Sequence, residues 1–433
     1  MAETDTDAAD EFDANVSPVK LDDGLRGLWR RYRKLPKNVF AISLVSLLND
    51  VSSEIIYPLL PIFLTSTLGA SAKAIGLIEG SAESISSLLK LFAGYASDRL
   101  HRRKLLVVSG YAVATFVRPL LAFVNSWQQV LALRLADRAG KGVRTAPRDA
   151  MIADTVEPEK RGLAFGFHRA MDHTGAVVGP LIGYLLVLLL TTNHSSPTAG
   201  EFTWIFLLAS IPGLAAVVVA MFFIRESPIV KPPSQAVPDL SLKGFDGDFK
   251  RFLLVLGLFT LSNSSDSFLI LRARDAGVPI ELIPLMWAAH HGSKVLSSLF
   301  GGDLSDRLGR KRLIVSGWIL YAAVYAGFAF ATASASIWIL FLIYGIYFGL
   351  AEGAEKALVA DLVRPEQRGT AYGLYNLAFG VTVLPASLLM GAIWDWKGPT
   401  AAFLVSASMG TLAALLLLVL VKPRTDQSRV ILV

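Results

Sequence analysis

The chain has 433 residues, of which 53% are hydrophobic and only 18% are charged. Soluble domains carry about a quarter charged residues, so this composition largely excludes a soluble enzyme, a disordered chain and a fibrous protein. Because cysteine is absent, disulfides, thiolate nucleophiles and cysteine-ligated metals are excluded. Lys and Arg in cytoplasmic loops explain the net charge of +6 better than nucleic-acid binding does, so no nucleic-acid partner is expected.

The first 38 residues predict a cytoplasmic tail and not a secretory signal. Residues 1–14 are acidic and contain no apolar run, which favours disorder. Basic residues between Arg26 and Lys37 directly precede the first apolar segment. Such a flank is typical of the cytoplasmic side of a membrane, where it contacts anionic lipid.

Twelve apolar segments follow, and about 20 residues are enough for one membrane crossing. Their predicted limits are 39–66, 74–97, 104–124, 128–152, 162–190, 202–224, 252–273, 280–303, 312–332, 335–360, 369–392 and 398–421. The loops between them alternate between basic and base-poor, so the positive-inside rule places both termini in the cytoplasm. The chain is therefore predicted to be an all-α, multi-pass protein of the inner (cytoplasmic) membrane.

A proline-rich stretch of mixed charge divides the twelve segments into two sets of six. The predicted organisation is a cytoplasmic tail at 1–38, a six-helix bundle at 39–224, a cytoplasmic linker at 225–250, a second six-helix bundle at 251–421, and a cytoplasmic tail at 422–433.

The two halves repeat each other. The motif that begins at Gly94 recurs 208 residues later at Gly302, and the Pro-Glu-x-Arg-Gly motif at Pro158 recurs 207 residues later at Pro365. Two motifs that recur at nearly one offset indicate two similar bundles with a substrate path between them.

These loop motifs resemble the signature G-x-x-x-D-R/K-x-G-R-R/K of the major facilitator superfamily, and the likeness covers residues 39–421. The second copy fits fully, whereas the first has His101 where Gly is usual. In the fourth segment, Arg138-x-x-Lys141-Gly is similar to the family pattern R-x-x-Q-G, with Lys in place of Gln.

The first and fifth segments also resemble particular branches of that family. Asp50, followed by Pro58-x-Leu-Pro, is similar to proton-coupled efflux members. The fifth segment resembles the antiporter motif, except that Tyr184 stands where a second Gly is usual. Its small residues predict close helix packing, and its proline predicts a bend: Gly175, Gly179, Pro180 and Gly183.

The resemblance implies alternating access, a small-molecule substrate, protons as the coupling ion, a monomer and no cofactor. It also implies that the loop motifs gate the path, because their aspartates can bond helix N-termini and nearby Arg. Simple topogenic charge is the alternative explanation. The gating residues so predicted are Gly94, Asp98, Arg99, Arg102, Arg161, Gly302, Asp306, Arg307, Arg310 and Arg368.

Charged residues inside the apolar segments are the richest functional signal, because each costs about 2.5–3.5 kcal/mol at the centre of a membrane helix. Their spacing is ordered: Asp50 and Glu54, for example, lie on one helix face. Those near segment ends, such as Asp149 and Lys356, are equally explained as plain salt-bridge partners. The candidates for proton coupling or the substrate cavity are Asp50, Glu54, Glu79, Glu83, Arg138, Lys141, Arg144, Arg148, Asp172, His173, Asp266, Glu352 and Glu355.

The resemblance places the first, fourth, seventh and tenth segments around the central path. Asp50 or Glu54 is the first choice for the proton carrier, Glu352 the second, and Asp172 with His173 the third. The histidines show no distinctive metal-ligand spacing, so no metal site is expected.

The expected function is a proton-coupled secondary transporter that exports a polar or charged organic solute or drug. No nucleotide-binding or hydrolase motif is present, so an enzyme is not expected and the energy source is an ion gradient. The first alternative is a proton symporter that imports an anionic nutrient. A second, from another class, is a non-transporting membrane receptor or a membrane-embedded enzyme.

Overall fold

The computed structural model describes residues 32–100, 102–157, 160–194, 197–226, 241–364 and 367–422. Within these ranges the side chains at 94–95, 98–100, 162, 299–303, 305–307 and 369 are not described. Most of both predicted tails and the central part of the predicted linker therefore lie outside the described residues.

Every regular element in the described ranges is helical. The helices are α1 (Lys37–Ile56), α2 (Leu60–Ser66), α3 (Ala72–Leu100), α4 (Arg103–Val117) continued by a 3-10 helix (Arg118–Phe123), α5 (Trp127–Thr155), α6 (Arg161–Leu190), α7 (Ala199–Phe223), α8 (Gly247–Ser262), α9 (Ser267–Asp275), α10 (Leu282–Leu308), α11 (Arg310–Phe330), α12 (Ser334–Leu362) and α13 (Arg368–Leu420).

Among the described residues, eight helical segments are long and apolar enough to cross a membrane. The charged helices α3, α5 and α10 are not among them. The segment Thr370–Leu420 counts once, although Gly398, with φ of +84°, breaks α13 into two arms. The predicted number of twelve crossings therefore stays a prediction.

Two predicted segments are each divided into two helices. The first, 39–66, is interrupted between α1 and α2, where Pro58 and Pro61 lack the N–H that a continuous helix needs. The seventh, 252–273, is interrupted between α8 and α9 by the polar residues 263–266, whose side chains compete for backbone hydrogen bonds. Pro147 and Pro180, by contrast, lie inside continuous helices.

The helices form two halves, α1–α7 and α8–α13, that meet through α3 against α13 and α6 against α10. We call the end at which Lys37, Arg225 and Leu420 lie the linker end, and the end with the turn at Gly398 the far end. At the far end, the Asp395 carboxylate accepts hydrogen bonds from the backbone N–H groups of Ala72 (3.0 Å) and Lys73 (2.9 Å). This aspartate caps α3 from the other half of the molecule.

The halves approach most closely between the far end and the middle of the bundle. A Cβ atom on Gly76 would lie 2.2 Å from the carbonyl oxygen of Ser387, and the Ser84 hydroxyl donates to the carbonyl oxygen of Gly380 (2.5 Å). At the linker end, bonds such as that from Lys311 Nζ to the carbonyl oxygen of Val421 (2.7 Å) stay within one half.

Among the charged side chains between the halves, exposure rises from the middle of the bundle toward the linker end. The side chain of Glu54, in the middle, is 21% exposed, whereas those of Asp149 and Glu352 are 44% and 45% exposed. The space between the halves is therefore closed at the far end and open toward the linker end.

Candidate functional site

Two carboxylates lie on α1 one helical turn apart, and the second of them contacts the other half of the molecule. Asp50 Oδ1 accepts a hydrogen bond from Asn49 Nδ2 at 3.0 Å. Glu54 Oε2 accepts one from Trp287 Nε1, which belongs to the other half, at 2.9 Å. His291 Nε2, from the same helix as Trp287, lies 3.9 Å from the same oxygen. Glu54 is therefore a direct polar link between the two halves.

Helix α6 holds α1 in this position through its glycines. A Cβ atom on Gly175 would lie 2.8 Å from the Leu47 carbonyl oxygen, and one on Gly179 would lie 2.7 Å from the Glu54 Cβ. Only glycine allows such an approach without a shift of the backbone. The predicted packing residues therefore support the helix that carries both carboxylates.

Behind α1 lies a buried group of charges that we call the N-half ion cluster: Glu79, Arg118, Arg134 and Asp137. Arg134 binds Glu79 through two nitrogens, at 3.1 and 2.7 Å. Arg118 lies 3.2 Å from Asp137 and also donates to the side chain of Asn49 at 3.0 Å. Glu79, predicted to line the cavity, is thus held in a buried bidentate pair with Arg134, and neither Arg134 nor Arg118 is predicted from the sequence.

The cations of α5 fall into two groups. Among the described side chains, Arg138 and Lys141 have no carboxylate within ion-pair distance, and Arg138 Nε is buried without a hydrogen-bond partner. Arg144 packs over the Tyr111 ring (4.3 Å to the centroid), and Arg148 donates to Asp149 at 3.0 Å. Arg138 and Lys141 are therefore the α5 cations that remain free for a ligand.

Glu83 and Lys90 of α3 face the same α5 cations. Both side chains are half-buried and within electrostatic range of Arg138. The N-half wall of the space thus combines carboxylates with an excess of cations.

The other half surrounds its carboxylates with aromatic donors. Tyr344 donates to Asp266 at 2.8 Å, while Trp318 and Tyr375 donate to the two oxygens of Glu355 at 2.8 and 2.9 Å. Both carboxylates are predicted from the sequence, whereas these donors are not. A usable signal was the helical spacing of the aromatic residues that pack around them: Tyr321, Tyr325, Tyr344 and Tyr347.

The remaining candidates lie nearer the linker end. Glu352 is bonded to Lys356 at 3.1 Å and lies 3.8 Å from Lys294. Asp172 lies 3.7 Å from His168 of its own helix. His173 is within electrostatic range of Glu352 and Lys294 of the other half. These groups line the wider, more exposed part of the space.

The predicted gating motifs are only partly described. The side chains of Asp98, Arg99, Asp306 and Arg307 lie outside the described residues, as do the surroundings of Gly94 and Gly302. Arg310 contacts Asp361 at 2.5 Å, and Arg161 donates to the Ala153 carbonyl at 3.1 Å, both within their own halves. Arg102 and Arg368 are exposed. A latch between the halves at these motifs stays a prediction.

A bundle of membrane helices in two similar halves, with ionisable groups facing the space between them, defines a transporter that moves a solute through its centre. The family model of the Major Facilitator Superfamily matches residues 42–286 and 252–431. The chain belongs to the Major Facilitator Superfamily.

Relatives agree with this assignment. The chain is 36% identical to an MFS-type transporter of Methanocaldococcus jannaschii, over 89% of this chain and 95% of that protein. It is 28% identical to the multi-drug resistance efflux pump PmrA of Streptococcus pneumoniae, over 71% of this chain and 75% of that protein.

Solved structures show the same fold. A crystal structure of the nucleoside transporter NupG superposes with a TM-score of 0.75 at 13% identity, over 89% of this chain and all of that one. A D-xylose–proton symporter gives a TM-score of 0.72 at 17% identity, over 89% of this chain and 98% of that one.

Proposed function

We propose that this protein is a proton-coupled transporter that exports a polar or charged organic solute by alternating access. The bundles at 39–224 and 251–421 rock about the central space, with the linker end and both termini in the cytoplasm. The observation that carries the proposal is the bond across the halves between Glu54 and Trp287.

The Glu54 contact links protonation to conformation. A carboxylate accepts a hydrogen bond from an indole N–H more strongly than a carboxylic acid does. A proton that binds Glu54 therefore weakens the link between α1 and α10 and favours opening at the far end. Asp50 lies one helical turn from Glu54 on α1, so it is a second carboxylate that can bind a proton or a solute cation.

The free cations on α5 support a solute with an anionic group. Arg138 offers a planar fork of donors that matches a carboxylate or phosphate, and Lys141 adds a point charge beside it. The aromatic side chains of the other half offer flat apolar surface for the rest of the solute. A charged solute with a hydrophobic part fits both walls.

Export is supported by the relatives. The 28% identical PmrA of Streptococcus pneumoniae and a 24% identical PmrA homologue of Lactococcus lactis are both named multi-drug resistance efflux pumps. The second candidate is a proton symporter that imports an anionic nutrient, which the free cations Arg138 and Lys141 on α5 favour.

Proton flux into liposomes that hold the purified protein and an internal pH dye tests the proposal. The panel contains organic acids, amphipathic cations and drugs, and Glu54→Gln and Asp50→Asn are compared with wild type. Glu157→Gln, an exposed carboxylate in the turn between α5 and α6, is the matched control. We expect one solute class to move protons, Glu54→Gln to abolish the coupled flux, and Glu157→Gln to keep it.

The sign of the flux separates export from import. Solute uptake without any proton movement contradicts proton coupling. If folded protein neither binds nor transports any solute of the panel, the proposed transport of these solute classes is contradicted.

A further inference from the structure

An apolar groove of about 660 Å³ lies on the outer surface of the first half at the linker end. Helices α1, α6 and α7 form it, and Phe40, Leu44 and Phe222 are among its lining residues. The Leu44 and Phe222 side chains are 39% and 73% exposed. In a membrane-embedded protein such a surface meets lipid chains and not water.

Two cations stand at the mouth of this groove, and the fold fixes their spacing. Asn38 accepts a hydrogen bond from the backbone N–H of Arg225 at 2.9 Å and donates to its carbonyl oxygen at 3.1 Å. This clasp holds the end of α7 beside the start of α1, and thus Arg225 beside Lys37. Both side chains are exposed, and neither has a carboxylate partner in the described part of the chain.

The surroundings of these cations leave them free for an anion. The nearest carboxylate in sequence, Glu226, is turned toward α4, where it accepts from the backbone N–H of Lys104 at 3.0 and 3.2 Å. No side chain caps the start of α1, and its first turn contains no acidic residue. The positive end of that helix therefore adds to the charge of Lys37.

We propose that this groove binds an anionic phospholipid, with an acyl chain between α1, α6 and α7 and the phosphate group between Lys37 and Arg225. The groove places apolar wall and cations at the depths where a phospholipid has its chain and its headgroup. The site lies outside the space between the halves, so the inference does not depend on which solute is transported or on proton coupling.

The groove is lined by α1, which carries Asp50 and Glu54, and by α6, which packs against α1. A lipid bound in the groove therefore contacts the helix that carries both carboxylates. A lipid wedged between α1 and α7 stabilises the first half at the end where the central space is open. The expected consequence is a stability that depends on the headgroup charge of the surrounding lipid.

Native mass spectrometry of the full-length protein, delipidated in detergent and titrated with phosphatidylglycerol or phosphatidylcholine, tests the site. Each basic residue near a membrane surface contributes about 1 kcal/mol to anionic lipid binding. We expect phosphatidylglycerol to bind wild type at least about tenfold more tightly than phosphatidylcholine, and the double variant Lys37→Gln/Arg225→Gln to lose that preference. The matched control, Lys243→Gln/Lys250→Gln at the linker end of the other half, keeps it.

Three outcomes would overturn the proposal. The first is a preference for phosphatidylglycerol that is unchanged in Lys37→Gln/Arg225→Gln. The second is competition by inorganic phosphate at the affinity of the lipid, which shows that the groove contributes nothing. The third is a full-length chain that binds neither lipid, as expected if its own residues 1–31 or a second copy cover the groove. A Leu44→Ala/Phe222→Ala variant, which retains both cations, should bind phosphatidylglycerol more weakly than wild type.

Discussion

The two halves share one repeat but stabilise their buried carboxylates in different ways. In the first half, Glu79 lies in the N-half ion cluster and is held by the charged Arg134. In the second, Glu355 is held by the neutral donors Trp318 and Tyr375. The two carboxylates are almost equally buried, at 6% and 7% exposure. A membrane bundle can thus satisfy a buried carboxylate with an ion pair or with neutral donors, and only the ion pair leaves a charge behind when the carboxylate is replaced by an amide.

The largest expected effect comes from breaking the ion pair. Glu79→Gln leaves Arg134 buried without its bidentate partner, with only Asp137 at 3.7 Å to offset its charge. Removing one member of a buried pair costs about 3–5 kcal/mol. We expect a large fall in the thermal unfolding temperature in detergent and a low yield of folded protein. Size-exclusion chromatography and a melting curve provide the measurement.

A double variant checks that the cost comes from the stranded charge. Glu79→Gln/Arg134→Gln removes both charges and should recover part of the lost stability, because two amides can hydrogen-bond to each other. If the double variant is as unstable as the sum of its single variants, the ion pair is not the reason for the loss.

The next effect concerns the surface along which the halves meet. Gly76→Val places a Cβ atom only 2.2 Å from the Ser387 carbonyl oxygen, far inside van der Waals contact. Overpacking of this kind costs about 1–3 kcal/mol, and separating the halves at the far end relieves it without disturbing either interior. We expect the equilibrium to shift toward a form that is open at the far end.

Spin labels can detect that shift, because the chain has no cysteine and two introduced cysteines are labelled uniquely. Ser66→Cys and Asp275→Cys place exposed labels on opposite halves at the far end. The mean label distance should increase in Gly76→Val and stay unchanged in the control Gly353→Val, where an added Cβ atom meets nothing within 4 Å. An unchanged distance in folded Gly76→Val would contradict the proposed closure.

Glu355→Gln in the second half should have a smaller effect than Glu79→Gln, despite the equal burial. The amide keeps one acceptor oxygen for Trp318 or Tyr375 and leaves no charge unpaired, so the expected cost is that of one hydrogen bond, about 1 kcal/mol. Melting curves of the two variants, measured side by side, give the difference. Equal destabilisation would show that the halves do not differ as described.

The fold class could be predicted from the sequence, because apolar runs, loop charge and the repeated motifs at Gly94 and Gly302 can each be recognised within a short stretch of residues. The interruptions at Pro58 and at 263–266 are less predictable, since a proline also occurs inside continuous helices such as α5 and α6. At Gly398 the turn between two predicted segments is so tight that both arms fall within α13.

The candidate site was only partly predictable, because helical spacing tells which residues share a face but not what faces them. The spacing of Asp50 and Glu54 predicts a shared helix face, yet the Trp287 partner of Glu54 lies 233 residues away in the chain. Glu79 was chosen for its charge, and its occupation by Arg134 depends on how α3 packs against α5. A single sequence contains no signal for such pairings.

The smallest effect is expected where the repeat itself differs, in the turn after α5. Lys160 lies 2.6 Å from Glu157, whereas the matching position in the second half, 207 residues later, is Gln367, which donates to the Gly244 carbonyl oxygen at 3.0 Å. The bond and the charge of Lys160 lower the pKa of Glu157. A pKa that is lower in the folded state means that this contribution to stability is present above the ordinary value of about 4.3 and is lost as the pH falls through and below it.

Lys160→Gln therefore gives the first half the side chain of the second. Because both partners are exposed and solvent screens them, the melting temperature should fall only slightly at pH 7 in low salt. The difference from wild type should shrink at pH 3 and in 1 M salt, since protonation or screening removes the same interaction. A difference that persists under both conditions would mean that Lys160 acts through some contact other than its charge on Glu157, and that the two turns differ in packing as well as in charge.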